Sequence, residues 1–198
     1  MTEHNPYLAP EAGLADGPAP VRPRFYVVSK AKFWALYLGT LGLYGIYWMY
    51  QHWANLKRAR KSDEWPVMRG IFGIFFVHSL FAEFDQELAR RGIRHEWSRV
   101  PIATATVILM LASNIMDRMA WRGVGSPYID VLSLGVLPLI AFLAWQGQQA
   151  ANEACEDPRG EGNRRFTAAN IIWLVIGTLW WLLVLLSLFV IVFMPEVL

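Results

Sequence analysis

Few residues in this chain could do chemistry, and most of them stand in apolar surroundings. His52 and His78 fall at the edge of, or within, apolar segments. A pair of imidazoles on neighbouring helices could ligate a haem or a metal ion. The plainer reading puts His52 at the headgroup level and leaves His78 hydrogen-bonded within the bundle. There is no His-x-x-His and no His-Glu-x-x-His to support the ligand reading. Cys155 is the single cysteine, so neither an intramolecular disulfide nor a cysteine-based zinc site can form. Arg69, His78, Asn114 and Asp117 are polar groups within or beside apolar runs, where they need partners. Asp117 and Arg118 close a helix and can snorkel, and Arg69 lies one turn inside a helix start. Asn114 and Asn170 suit hydrogen bonds between helices. Asp157, Glu161 and Asn163, with Gly160 and Gly162, lack the alternating oxygen ligands and closing Glu of a calcium loop. No glycine-rich nucleotide motif is present, and nothing sets a nucleophile beside a base and an oxyanion donor. The residues therefore assign no catalytic, cofactor-binding or metal-binding position and imply no cofactor.

What must position these groups is a membrane protein. Of 198 residues, 55% are hydrophobic and 17% are charged, against about 25% charged in an average soluble domain. The net charge of +2 points to no nucleic-acid partner. The placement of the 18 basic residues carries more, because clustered Lys and Arg orient membrane segments. Residues 1–24 carry Pro6, Pro10, Pro18, Pro20 and Pro23 and read as a disordered tail without a signal-peptide pattern. Within it, Asn5-Pro6-Tyr7-Leu8-Ala9-Pro10 reads either as a spacer or as a docking peptide. Phe25-Tyr26-Val27-Val28 is an extended run, and Ser29 is a helix-capping candidate.

The stretch 32–61 organises the rest. Its uncharged part, 33–53, is nominally long enough to span a bilayer. Basic clusters flank it on both sides, Arg22, Arg24, Lys30 and Lys32 before, and Lys57, Arg58, Arg60 and Lys61 after. A simple span would carry one cluster outside, against the positive-inside bias. Gly39, Gly42 and Gly45 interrupt the middle, and Tyr44, Tyr47, Trp48, Tyr50 and Trp53 crowd the second half. A break near Thr40-Leu41-Gly42 lets the chain turn back, provided protein or water satisfies the freed backbone groups.

Thr40-x-Gly42-x-Tyr44, followed by Tyr47-Trp48-x-Tyr50, resembles a signature of small bacterial multi-pass membrane proteins grouped as a domain of unknown function. Phe25-Tyr26-Val27-Val28-Ser29 and Lys32-Phe33 extend the likeness over roughly the first 60 residues. The resemblance implies a bacterial inner-membrane protein and no activity.

Pro66 suits a helix start and Gly92 a helix end, so 66–91 reads as one helix, apolar at first and then amphipathic with Val77, Phe81, Phe84 and Leu88 on one face. Glu87 and Arg91 form an i,i+4 pair on it. Segments 100–116, 128–146 with Pro138 inside, and 168–194 capped by Thr167 read as transmembrane helices; 147–166 reads as a polar connection.

The expected fold is an all-α integral membrane bundle. It has three transmembrane helices and two N-terminal segments, 33–53 and 66–91, that are re-entrant, interfacial or a crossing pair. With the N-terminus cytoplasmic and the C-terminus periplasmic, the re-entrant form keeps all basic residues but Arg118 and Arg122 on or near the cytoplasmic face. Expected partners are the bilayer, anionic lipid at the cytoplasmic face, and a protein partner or second copy. The functional expectation is a non-enzymatic scaffold or accessory protein of the envelope. A small oligomeric transporter or channel using the glycine-broken segments is the alternative, and a haem or metal membrane protein the third. Gly39, Gly42, Tyr44, Trp48, Arg69, His78 and Asn114 are the positions on which these readings turn.

Overall fold

The structure is a computed structural model and describes residues 24–194. The expected tail lies outside the described residues except for Arg24. The chain forms α1 (Lys30–Gly39), α2 (Tyr44–Arg60), α3 (Pro66–Ile71), α4 (Gly73–Arg91), α5 (Arg99–Trp121), α6 (Tyr128–Ala154) and α7 (Ala168–Phe193), with one 3-10 turn at Glu161–Asn163. No strand occurs among the described residues. Three helices, α5, α6 and α7, are long and apolar enough to cross a membrane. At 1.5 Å per residue they measure roughly 35–40 Å, whereas α1 measures about 15 Å.

The first apolar stretch is two helices. Leu41 N–H donates to the Leu38 carbonyl at 3.1 Å and Gly42 N–H to the Tyr37 carbonyl at 2.9 Å, the paired bonds of a Schellman ending. Thr40 then joins the two helices. Its hydroxyl donates to the Leu36 carbonyl at 2.7 Å and accepts from Tyr44 N–H at 3.0 Å. The motif needs left-handed backbone, and Leu41 supplies it at φ 51° with Gly42 at φ 84°. Leucine there costs about 1 kcal/mol or more relative to glycine.

This elbow is pinned by α7. A Cβ on Gly177 would lie 1.9 Å from the Gly39 carbonyl oxygen, so the two backbones touch where both residues are glycine. The Trp181 indole N–H donates to the Leu38 carbonyl at 2.8 Å. The helix end that lipid could not satisfy is thus satisfied by protein.

The segment 66–91 differs from its expected form. It bends at Phe72 into α3 and α4. Gly70 and Gly73 let the bend press on α2: a Cβ on Gly70 would sit 3.0 Å from the Ile46 carbonyl oxygen, and one on Gly73 3.3 Å from Met49. The cause is a tertiary contact, which the end signals Pro66 and Gly92 do not encode. Gly92 does close α4 in left-handed backbone, with Ile93 N–H donating to the Leu88 carbonyl at 3.0 Å.

α5 runs five residues beyond its expected end, and α6 continues through 147–154, read from sequence as part of a polar connection. Ser29 precedes α1 but its side chain makes no capping bond. Thr167 does cap α7, reciprocally with Asn170, so Asn170 serves its own helix start and not a neighbouring helix.

The core occupies one half of the molecule. Its large buried side chains are Phe25, Phe33, Trp48, Trp53, Phe81 and Phe84. On α6 the buried positions begin only at Val136 and run to Ala154; α5 buries Ala103 and Thr106, and α7 only Gly177.

Candidate functional site

The buried polar groups converge on the non-helical segment 24–29, which precedes α1. Non-helical backbone leaves N–H and C=O groups that need partners when buried. Here helix side chains supply them. The Asn152 amide matches Val28 as a second backbone would: its Oδ1 accepts Val28 N–H at 3.2 Å and its Nδ2 donates to the Val28 carbonyl at 3.0 Å. One turn earlier on α6, Gln148 Nε2 donates to the Tyr26 carbonyl at 2.9 Å and to Asn152 Oδ1 at 2.7 Å. Asn163 Nδ2 donates to the Val27 carbonyl at 2.8 Å. The Cys155 thiol faces the Phe25 carbonyl at 3.8 Å, and burial pushes its pKa up, away from the reactive thiolate.

α2 completes the cluster. Trp48 donates its indole N–H to Gln148 Oε1. His52, fully buried, accepts Tyr26 N–H on Nδ1 at 3.3 Å, and its Nε2 lies 3.2 Å from Gln148 Oε1. Because the Gln148 nitrogen already has two acceptors, its oxygen takes both neighbours, and the partners assign the proton of His52 to Nε2. A neutral imidazole with both nitrogens engaged offers no lone pair to a metal. Trp48 and Phe84 flank its ring, with centroids at 4.7 and 4.9 Å.

Two charged groups close the segment at its ends. Lys32, 2% exposed, donates to Asn163 Oδ1 and to the Arg165 carbonyl, both at 2.7 Å. Glu87, equally buried, accepts from Arg90, Arg91 and Arg24, the last at 2.7 Å. The hydrogen bond from Arg90, with Arg91 and Arg24 adding to it, holds the Glu87 carboxyl at about 2 against the opposing effect of burial. Gly160, at φ 67°, passes so close that a Cβ would lie 2.2 Å from the Val28 carbonyl oxygen. An open groove of about 740 Å³ lies beside the segment, lined in part by Arg24, Asn55, Glu87, Arg91, Glu156 and Asn163.

Chemically, the arrangement binds backbone. Its amides, imidazole, indole, ammonium and carboxylate are each matched to a protein group. Among the described residues no group of three His, Cys, Asp or Glu is placed to hold a metal.

Of the seven positions on which the sequence readings turn, only Trp48 belongs to the cluster itself, which also takes in His52, weighed as a ligand, and Asn163, weighed in a cation loop. Tyr44 is buried beside it, with its hydroxyl 3.4 Å from that of Tyr26. Gly39 and Gly42 form the elbow. His78 lies on the surface with Nε2 at 3.1 Å from the Thr104 hydroxyl, so it shares no partner with His52. Arg69 stacks over Trp53 at 4.0 Å and pairs with Glu64 at 3.5 Å. Asn114 donates to the Met110 carbonyl of its own helix at 2.8 Å, contrary to the expected bond between helices. Asp157, weighed as a cation ligand, accepts the Glu161 and Gly162 backbone N–H groups instead.

Gln148 and Asn152 escape sequence reasoning because polar residues after an apolar run read as a loop. The available signal was their register: Ala141, Ala144, Gln148, Ala151 and Asn152 lie on one helical face, and all are buried. Comparison with family models, with curated proteins and with solved structures finds no match to this chain.

Proposed function

We propose that the chain is a membrane-embedded scaffold or accessory protein of the bacterial inner membrane, not an enzyme. Its two N-terminal helical hairpins enter one leaflet and return to the side they came from. The observation that carries this reading is the commitment of the buried His52, Gln148 and Asn152 side chains, with Asn163, to the backbone of residues 26–28. A fixed segment at the membrane face is what a scaffold needs to hold the preceding Pro-rich sequence where a protein partner can reach it.

The depth of the hairpins is supported by the elbow at 40–43. It packs on Leu137 of α6 and on Leu174 and Gly177 of α7, within the length of helices that can span. Leu43, Ile46, Val67, Ile71, Phe72 and Phe75 are exposed, as lipid-facing residues are. The basic residues Lys30, Arg58, Arg60, Arg94 and Arg99 would then line the cytoplasmic face against anionic lipid, with the C-terminus periplasmic. The elbow also favours a scaffold over a transporter. Transporters leave broken-helix carbonyls free for ions, whereas here the Tyr37 and Leu38 carbonyls are taken by Gly42, Leu41 and Trp181.

The test is extraction of tagged protein in mild detergent after chemical cross-linking in cells. A co-purifying chain, or a second copy, is the expected result. A lone monomer under all conditions would remove the scaffold reading.

A further inference from the structure

The division of helices between the two halves of the molecule carries a mechanical consequence. On the side of Lys30, Arg60 and Arg99, α1 packs on α6 and on the first half of α7, α4 packs on α5 and α6, α2 packs against α1 and α4, and α3 against α2 and α4. Beyond the elbow at 40–43 and the bend at Phe72, only α5, α6 and α7 continue. A helix about 10 Å across occupies roughly 80 Å², so four additional segments add about 300 Å² of protein to one leaflet. The added part is solid: Phe33, Trp53, Phe81, Phe84 and Leu80 are each at most 1% exposed, and close-packed interiors resist compression. In the other half, α7 stands apart from α5 and α6 across an open cleft of about 500 Å³ between Trp180, Leu183 and Ser187 and Asp117, Ala120 and Ser133. Lipid chains filling that cleft add no protein area.

We propose that the protein is a wedge that favours curved membrane, with the leaflet facing Lys30, Arg60 and Arg99 on the convex side. The inference rests on the re-entrant reading of the hairpins. A bilayer that bends toward the narrow end relieves the area mismatch between its leaflets. The protein therefore prefers, and at high density promotes, curvature of that sign.

The test uses the full chain with Cys155→Ser and one new cysteine, Ala59→Cys or Val124→Cys, both at exposed positions. Each is reconstituted into small sonicated and large extruded vesicles of one phosphatidylcholine and phosphatidylglycerol mixture. An impermeant thiol reagent then reports which end faces out. The wedge raises the outward fraction of Ala59→Cys in small vesicles over large ones by about twofold or more, and lowers that of Val124→Cys in step. Equal fractions in both sizes, with the two cysteines still reporting opposite sides, overturn the wedge and leave the re-entrant reading standing. Labelling of both cysteines from the same side overturns the re-entrant reading and the wedge together.

Discussion

The half of the molecule around residues 24–29 and the half around the α5–α6 connection are built from similar apolar helices, yet they hold together differently. The first packs aromatic side chains around a satisfied polar cluster and buries Gln148, Asn152 and His52 completely. The second buries almost nothing: α5 buries no residue after Thr106 and α7 none after Gly177. Both arrangements suit a membrane, because lipid covers apolar helix as well as protein does. Among the described residues only the first buries non-helical backbone, whereas the turn at 122–126 is exposed, and only in the first must side chains stand in for water. Specific side chains are therefore indispensable in one half and interchangeable in the other.

The largest break in that contrast comes from Gly177→Ala. The new Cβ would meet the Gly39 carbonyl oxygen at 1.9 Å and force α7 off the elbow, a loss of about 3 kcal/mol or more. Gly135→Ala, in the sparse half with nothing within 4 Å of its Cβ, is expected to stay within about 0.5 kcal/mol of the parent. Thermal unfolding in detergent separates the two. Next is Asn152→Leu, which orphans both backbone groups of Val28 and costs about 3 kcal/mol. Asn114→Leu, whose only partner is its own helix, changes stability by less than about 0.5 kcal/mol.

Glu87→Gln removes the charge that three arginines share, for about 2 kcal/mol at neutral pH, and gives the contrast a pH signature. The Glu87 carboxyl is lowered from 4.5 to about 2 in the folded protein. Its contribution is then complete above pH 4.5 and disappears as pH falls through about 2. The parent is expected to lose stability across that window and Glu87→Gln to lose less, read as melting temperature against pH. The smallest effect is a gain: Leu41→Gly relieves the left-handed leucine at φ 51° and stabilises by about 1 kcal/mol. Leu132→Gly, inside the exposed start of α6, is expected to destabilise by a similar amount.

The outline of the fold is legible in the residues because its causes are local. Apolar length marks α5, α6 and α7, Thr167 marks a cap, and Gly39, Thr40 and Gly42 mark a break. The bend at Phe72 is not legible, since it follows from the fit of Gly70 and Gly73 against Ile46 and Met49 on another helix. The polar cluster is hidden for the opposite reason. Gln148 and Asn152 look like loop residues until the segment that consumes their hydrogen bonds, some 120 positions away, is known. His52 and His78 attract attention as a pair, yet each answers to a different neighbour, Tyr26 with Gln148 for one and Thr104 for the other.

The most direct measurement is the sidedness of three exposed positions in intact cells, with Ala31→Cys, Ala59→Cys and Val124→Cys made singly in a Cys155→Ser background. If α1 and α2 enter and return through one leaflet, cysteines at 31 and 59 react with an impermeant thiol reagent only after the membrane is opened, and the one at 124 reacts before. Reaction of the cysteine at 59 in intact cells, with that at 31 still protected, would mean that the chain crosses at Thr40 and that the hairpin does not exist.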